Sequence, residues 1–122
     1  MNIDFDSEKP IFLQIADIIA DAILSGAFEE ESQIPSITEL SVNYKINPAT
    51  ALKGINILVD QGVVYKKRGV GMFVASGAVD NLREKRKDEF FDTYIASLIA
   101  EAKRLKLTEV EIKSMIERGF KL

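Results

Sequence analysis

Residues 36–62 read Ser36-Ile-Thr-Glu-Leu-Ser-Val-Asn-Tyr-Lys-Ile-Asn47-Pro-Ala-Thr-Ala-Leu-Lys-Gly-Ile-Asn-Ile-Leu-Val-Asp-Gln-Gly62. Ser36 with Glu39 three residues later has the form of a capping box, in which a hydroxyl and a carboxylate satisfy each other's orphan N–H groups at a helix start. Ile37 and Leu40 then turn inward. This helix must end around Tyr44–Ile46, because a second start follows at once. Asn47 is a good cap, and Pro48 suits the first helical position. From Pro48 the spacing predicts a helix to about Gln61, stopped by Gly62. Two helices joined by a turn of a few residues make a helix-turn-helix. With successive residues about 100° apart, Ala51, Ile55, Leu58 and Val59 fall on one face and are expected to pack inward. Ala49 and Lys53 fall on the far face, in the N-terminal half where a recognition helix meets base edges. The positive end of the helix dipole at the same place suits phosphate.

Downstream, Val63-Val-Tyr-Lys-Lys67 and Met72-Phe-Val-Ala75 flank Arg68-Gly-Val-Gly71. Two β-rich runs around a glycine-containing turn predict a hairpin. By itself the Gly69–Gly71 pair means only a tight turn. Directly after a helix-turn-helix, a basic hairpin reads as a wing whose glycines let the backbone approach a phosphate or a minor groove. Upstream, Ile11, Ile15, Ile18, Ile19, Ala22 and Ile23 recur at three- and four-residue spacing and predict a helix over residues 10–25, opened by Pro10 and stopped by Gly26. Phe28 to Ser32 reads as a polar link. Beyond the hairpin, residues 78–105 are expected to form one long helix. Phe91, Ile95, Leu98, Ala102 and Leu105 alternate four and three apart along it, the seam of a short coiled coil. Thr108 and Glu111 form another capping box. They open a last helix with Val110, Ile112, Met115 and Ile116 on its apolar side and Gly119 at its end. Phe90, Phe91 and Tyr94 read as packing residues, and the Arg83–Lys87 cluster, interleaved with acids, as a solvated face.

Composition narrows the function classes. The 122 residues suit one small domain with an appendage. We place the boundary at residues 1–77 for the winged domain and 78–122 for the helical segment. The chain has neither cysteine nor histidine, so thiolate metal sites, structural zinc and most nucleophile–base catalysis lose their usual side chains. No metal, cofactor or catalytic residue is expected. No apolar run approaches the roughly 20 residues of a membrane span, and no membrane partner is expected. The N-terminus bears Asp4, Asp6 and Glu8 rather than a basic start and an apolar stretch, so the expected location is the cytoplasm. The formal net charge is −3, but it is unevenly spread. Residues 1–44 hold Lys9 as their single cation. Residues 45–68 hold Lys45, Lys53, Lys66, Lys67 and Arg68 against Asp60 alone. A local field of one sign steers an anionic partner even on an acidic chain.

Several segments together resemble the GntR family of bacterial regulators. They are Pro10-Ile-Phe-Leu-Gln-Ile-Ala-Asp17, Ala22-Ile-Leu-Ser-Gly26, Ile34-Pro-Ser36, Ile46-Asn-Pro-Ala-Thr50, Leu58-Val-Asp-Gln-Gly-Val-Val64 and Gly69-Val-Gly-Met-Phe-Val74. They occur in family order and at family spacing across residues 10–75. The Asn47-Pro48-Ala49-Thr50 opening of the third helix resembles the short YtrA branch. The resemblance implies an α+β winged helix-turn-helix domain followed by a two-helix C-terminal dimerisation segment. It implies a homodimer on double-stranded operator DNA, repressing an operon that often encodes an ABC transporter, with the identity of any small-molecule effector left open. It further implies a phosphate contact at Ser36, a reading face of Asn47, Ala49, Thr50 and Lys53, and a wing tip from Gly69 to Gly71. To these we add Thr38, Lys45, Lys67 and Arg68 as DNA-binding residues. The sequence departs from the family at Thr38 and Val70, often basic, at Met72, often threonine, and at Glu30-Glu31, usually Pro-Gly. Fewer cations imply fewer phosphate contacts.

Two other readings stand beside the DNA-binding regulator. One is a winged-helix protein–protein module without DNA binding, motivated by Thr38, Val70 and the acidic first 44 residues. The other is an enzyme, against which the carboxylates lie scattered on polar faces with no partner histidine, cysteine or metal-ligand spacing.

Overall fold

In the computed structural model, residues 2–122 are described; residue 1, where the expected first domain begins, lies outside them. The order is α1 (Ile11–Ser25), α2 (Ile37–Tyr44), α3 (Pro48–Asp60), β1 (Val64–Lys67), β2 (Gly71–Val74), α4 (Ala78–Phe90), a π-helical turn (Phe91–Ile95), α5 (Ala96–Arg104) and α6 (Glu109–Phe120). By their contacts the residues divide into one unit ending at Glu84 and a second spanning Lys85–Leu122.

The first unit is the winged helix. Gly26 closes α1 in the left-handed conformation, with φ 86°. Ile15, Ile19 and Ile23 of the expected stripe are buried, while Ile11, Ile18 and Ala22 are half-buried and Ala16 and Ala20 go inside instead. α1 is therefore rotated slightly from the reading of its isoleucines. The approach to α3 is close at Gly54, which has no side chain: an added Cβ would sit 2.7 Å from the Phe12 carbonyl oxygen. Leu40 of α2, Ala51, Ile55 and Leu58 of α3, and Val63, Val64 and Val74 of the hairpin complete the core.

β1 and β2 pair antiparallel in the register Val64↔Val74, Tyr65↔Phe73, Lys66↔Met72 and Lys67↔Gly71. Gly71, expected in the turn, is thus the first residue of β2. The supposed polar link also acquires structure. Glu31 N–H donates to the Val74 carbonyl (2.8 Å), Val74 N–H to Ser32 (2.9 Å) and Ile34 N–H to Met72 (2.9 Å). Gln33 bridges Phe73. Residues 31–34 therefore run antiparallel beside β2, and these bonds pair backbone groups on its outer edge.

The contact boundary falls after Glu84 rather than at the expected 77/78 junction. Ala78 and Leu82 are buried in the core of the first unit, so the opening turns of α4 belong to the winged domain.

The expected long helix runs from Ala78 to Arg104, with a π turn at Phe91–Ile95 inside it. Ala96 N–H donates to the Phe91 carbonyl, an i→i+5 bond. Such a turn admits an extra residue and shifts the helical phase. The expected seam therefore does not form one straight line. Of its residues only Ala102 is buried, at 7% exposure; Phe91 and Leu105 remain 59% and 63% exposed. Thr108 and Glu111 form the expected capping box of α6. Gly119 lies inside that helix, which runs on to Phe120. Val110, expected on the apolar side, is exposed, as are Met115 and Ile116. Among the described residues no helix is long and apolar enough to cross a membrane.

Candidate nucleic-acid interface

The helix-turn-helix is built by three short-range devices. Ser36 Oγ accepts from Glu39 N–H, and Glu39 Oε1 accepts from Ser36 N–H, both at 3.1 Å. Asn47 Oδ1 accepts from Ala49 N–H at 2.8 Å and starts α3. Between them Lys45 ends α2 at φ 54°, a left-handed conformation that a residue with a Cβ adopts only at some cost. These caps hold Ser36 and Thr38 at the start of α2 and Asn47, Ala49 and Thr50 in the opening of α3. All are exposed except Thr50, which is half-buried.

Lys53 lies on the outward face of α3 as its position in the helix predicts, but its ammonium is not free. It sits 4.1 Å from the centroid of the Phe12 ring on α1, within cation–π range. Lys67 on β1 is held similarly, 4.5 Å from the Phe73 ring. Lys45, Lys66 and Arg68 are exposed, and none of them has a carboxylate partner among the described residues. Ion pairs of the described residues lie elsewhere, among them Lys9–Asp17, Arg83–Asp80, Arg104–Glu101 and Lys113–Glu109. Uncompensated cations therefore surround α3 and the wing.

The wing tip is Arg68-Gly69-Val70. Gly69 has φ 77°, and Val70 N–H donates to the Lys67 carbonyl at 3.0 Å. Gly71 has a different task from the one its spacing suggested. A Cβ there would stand 2.4 Å from Gln33 Nε2, and that amide donates to the Val70 carbonyl at 3.1 Å. Gln33 thus braces the wing from the segment beside β2 through the space a side chain at Gly71 would fill. At the wing's base, Tyr65 donates its hydroxyl to Glu31 Oε2 at 2.7 Å. This bond to a carboxylate favours the protonated phenol and raises its pKa.

Four residues of this face escaped the sequence reading as contact residues: Gln33, Leu52, Asn56 and Lys66. They line a cleft of about 300 Å³ with Ser36, Ile37, Val70, Gly71 and Met72. Leu52 and Asn56 carried a usable signal, because the helical spacing that turns Ala49 and Lys53 outward turns them outward too. Gln33 carried none, lying in a stretch without alternation. Among the described residues no group of His, Cys, Asp and Glu could hold a metal ion.

The seam residues Phe91, Ile95, Leu98, Ala102 and Leu105 all lie in the second unit. There Leu98, Ala102 and Leu105 line an apolar cleft of about 350 Å³ between α5 and α6, with Leu107, Ile112, Met115 and Ile116. Phe90 and Tyr94 pair with ring centroids 5.2 Å apart, on a surface that remains exposed.

The sequence pattern of the family described as bacterial regulatory proteins, gntR family, matches residues 12–74. The HTH-type transcriptional regulator YhcF of Bacillus subtilis is 33% identical over 98% of this chain and 100% of its own length. The HTH-type transcriptional repressor YtrA of the same organism is 26% identical over 99% of this chain and 98% of its own. A GntR-family protein from Bacteroides thetaiotaomicron has a solved structure that is 39% identical with TM-score 0.74, covering 91% of this chain and 96% of that one. The DNA-binding domain of AraR, solved with operator ORX1, is 28% identical with TM-score 0.56, covering 62% of this chain and 99% of that one.

Proposed function

The chain belongs to the gntR family of bacterial regulatory proteins, on a YtrA-like branch, and is a DNA-binding transcription regulator; from that premise we propose that it acts as a homodimeric repressor on a two-fold operator. The observation that carries this reading is the placement of Lys45, Lys66 and Arg68, exposed and without carboxylate partners, around α3 and the wing. Cations so placed neutralise phosphates and release counterions, which provides affinity independent of sequence. Side chains on the outward face of α3 then meet base edges in the major groove. In this reading Ser36, Thr38, Lys45, Lys66, Lys67 and Arg68 contact backbone, and Asn47, Ala49, Thr50 and Lys53 form the reading face. Gly69 carries the wing tip towards the minor groove, and Gly71 keeps that tip braced by Gln33. The site of action is the cytoplasm, with the chromosome.

The second subunit is supported by the apolar surface of the C-terminal unit, where Phe91, Leu98, Ile99, Leu105, Met115 and Ile116 are each exposed and Leu98, Leu105, Met115 and Ile116 line one cleft. So short a helical segment buries little apolar area alone, and a two-fold pair is the commonest way to cover such a surface. Repression is supported by likeness along the whole chain to a repressor of the same branch.

A footprint and a mobility shift on the DNA upstream of the protein's own gene test the reading, with light scattering for the assembly. A protected two-fold site bound by a dimer is the expected result. A chain that binds no duplex at low salt would leave the protein–protein module as the better reading.

A further inference from the structure

The outward face of α3 carries an apolar residue that the phosphate contacts do not use. Leu52 is 41% exposed, although it stands among Lys53, Lys66 and the wing cations. One turn further along, Asn56 is exposed, and its carboxamide has no hydrogen-bond partner among the described residues. One turn back stands Ala49. A methyl, an isobutyl and a free carboxamide thus succeed one another along the reading face. Leu52 and Asn56 border the cleft shared with Lys66 and Val70.

These groups match one kind of base pair. In the major groove the only apolar group is the C5-methyl of thymine, and the edge that suits a carboxamide is adenine's N7 acceptor and N6 donor. Guanine is read best by a cationic donor fork. The sole cation on this part of the helix is Lys53, whose ammonium lies over the Phe12 ring. We propose that this chain reads A·T pairs, with Leu52 against a thymine methyl and Asn56 on an adenine edge one helical turn away. The inference rests on the operator reading above and makes it specific: the cations supply attraction, while Leu52 and Asn56 supply base preference.

The test uses the full chain and a random-sequence duplex library. The most enriched duplex is resynthesised with deoxyuridine in place of each half-site thymine in turn, which removes only the methyl. At one position per half-site the parent protein should bind about fourfold more weakly, the worth of one buried carbon. Leu52→Ala should bind the thymine and uracil duplexes alike at that position. Asn56→Ala should lose roughly fivefold or more of its preference for adenine. Uracil substitution that changes nothing in the parent protein would overturn the proposal, and that arm needs no variant to fold. So would a methyl effect that persists in Leu52→Ala, or enriched half-sites without an A·T pair. Salt-dependent binding with no enriched sequence would overturn A·T reading and leave DNA binding standing. Absence of duplex binding at every salt concentration would remove the operator reading as well.

Discussion

The Glu30 carboxylate accepts a 2.8 Å hydrogen bond from Gly77 N–H, and its second oxygen accepts from Val79 N–H at 3.1 Å. These are orphan donors at the start of α4, capped by a residue from the loop before α2. The loop entering the helix-turn-helix and the helix leaving the wing are therefore fastened at one carboxylate. The bonds from Gly77 and then Val79 hold its pKa below the ordinary 4.5. A depressed acid stabilises the fold above its unfolded value, and that contribution disappears as pH falls through the folded value. Glu30→Gln should lower the Tm at neutral pH and lose less Tm than the parent between about pH 5 and pH 3. Thermal melts of both proteins across that range check this; parallel curves would count against the cap.

Gly54 should resist replacement. A Cβ there would stand 2.7 Å from the Phe12 carbonyl oxygen and 2.8 Å from Ile15 Cγ2. Alanine gains about 1 kcal/mol over glycine in helix propensity, but a carbonyl oxygen fixed in the backbone of α1 cannot swing aside. Overpacking of about 1–3 kcal/mol should win, and urea unfolding of Gly54→Ala should show a net loss. A gain in stability would mean that α1 and α3 pack less closely.

Lys45 separates stability from binding. Its left-handed φ of 54° strains any residue with a Cβ by about 1 kcal/mol or more, while glycine adopts it freely. Lys45→Gly should keep or raise the Tm and weaken binding to all duplexes alike, shortening the dimer's salt slope by about 2. A lower Tm with unchanged affinity would reverse both assignments.

Leu98 lies among the exposed apolar residues of the C-terminal unit. Leu98→Asp should give monomers by light scattering. Losing the linked second half-site should weaken operator binding by about 100-fold or more. A variant that stays dimeric would place the interface elsewhere.

The winged helix was readable because its signals are local. Ser36 with Glu39, Asn47 with Pro48, and Gly26 each act within one helical turn, and each stands where its spacing predicts. What the sequence hid depends on partners far along the chain. Gln33 matters through Gly71 and Val70, Glu30 through Gly77, and Lys53 through Phe12. The helix from Ala78 extends to Arg104, within a residue of its expected end, but the heptad spacing of its seam crosses a π turn at Phe91–Ile95 that shifts the phase. Such a turn adds a residue without any punctuation in the sequence. Leu52 and Asn56 were within reach, since the rotation that turns Lys53 outward also turns them outward.

The most direct test of the central claim, that this acidic chain holds DNA through the cations around α3 and the wing, is operator affinity measured against salt. If each subunit pairs about three or four cations with phosphates, log affinity against log salt should fall with a slope of roughly −5 to −7 for the dimer. Replacing Lys45, Lys66 and Arg68 together by alanine should flatten most of that slope while leaving the fold intact. A slope near zero in the parent protein, or one that the triple replacement leaves unchanged, would contradict it.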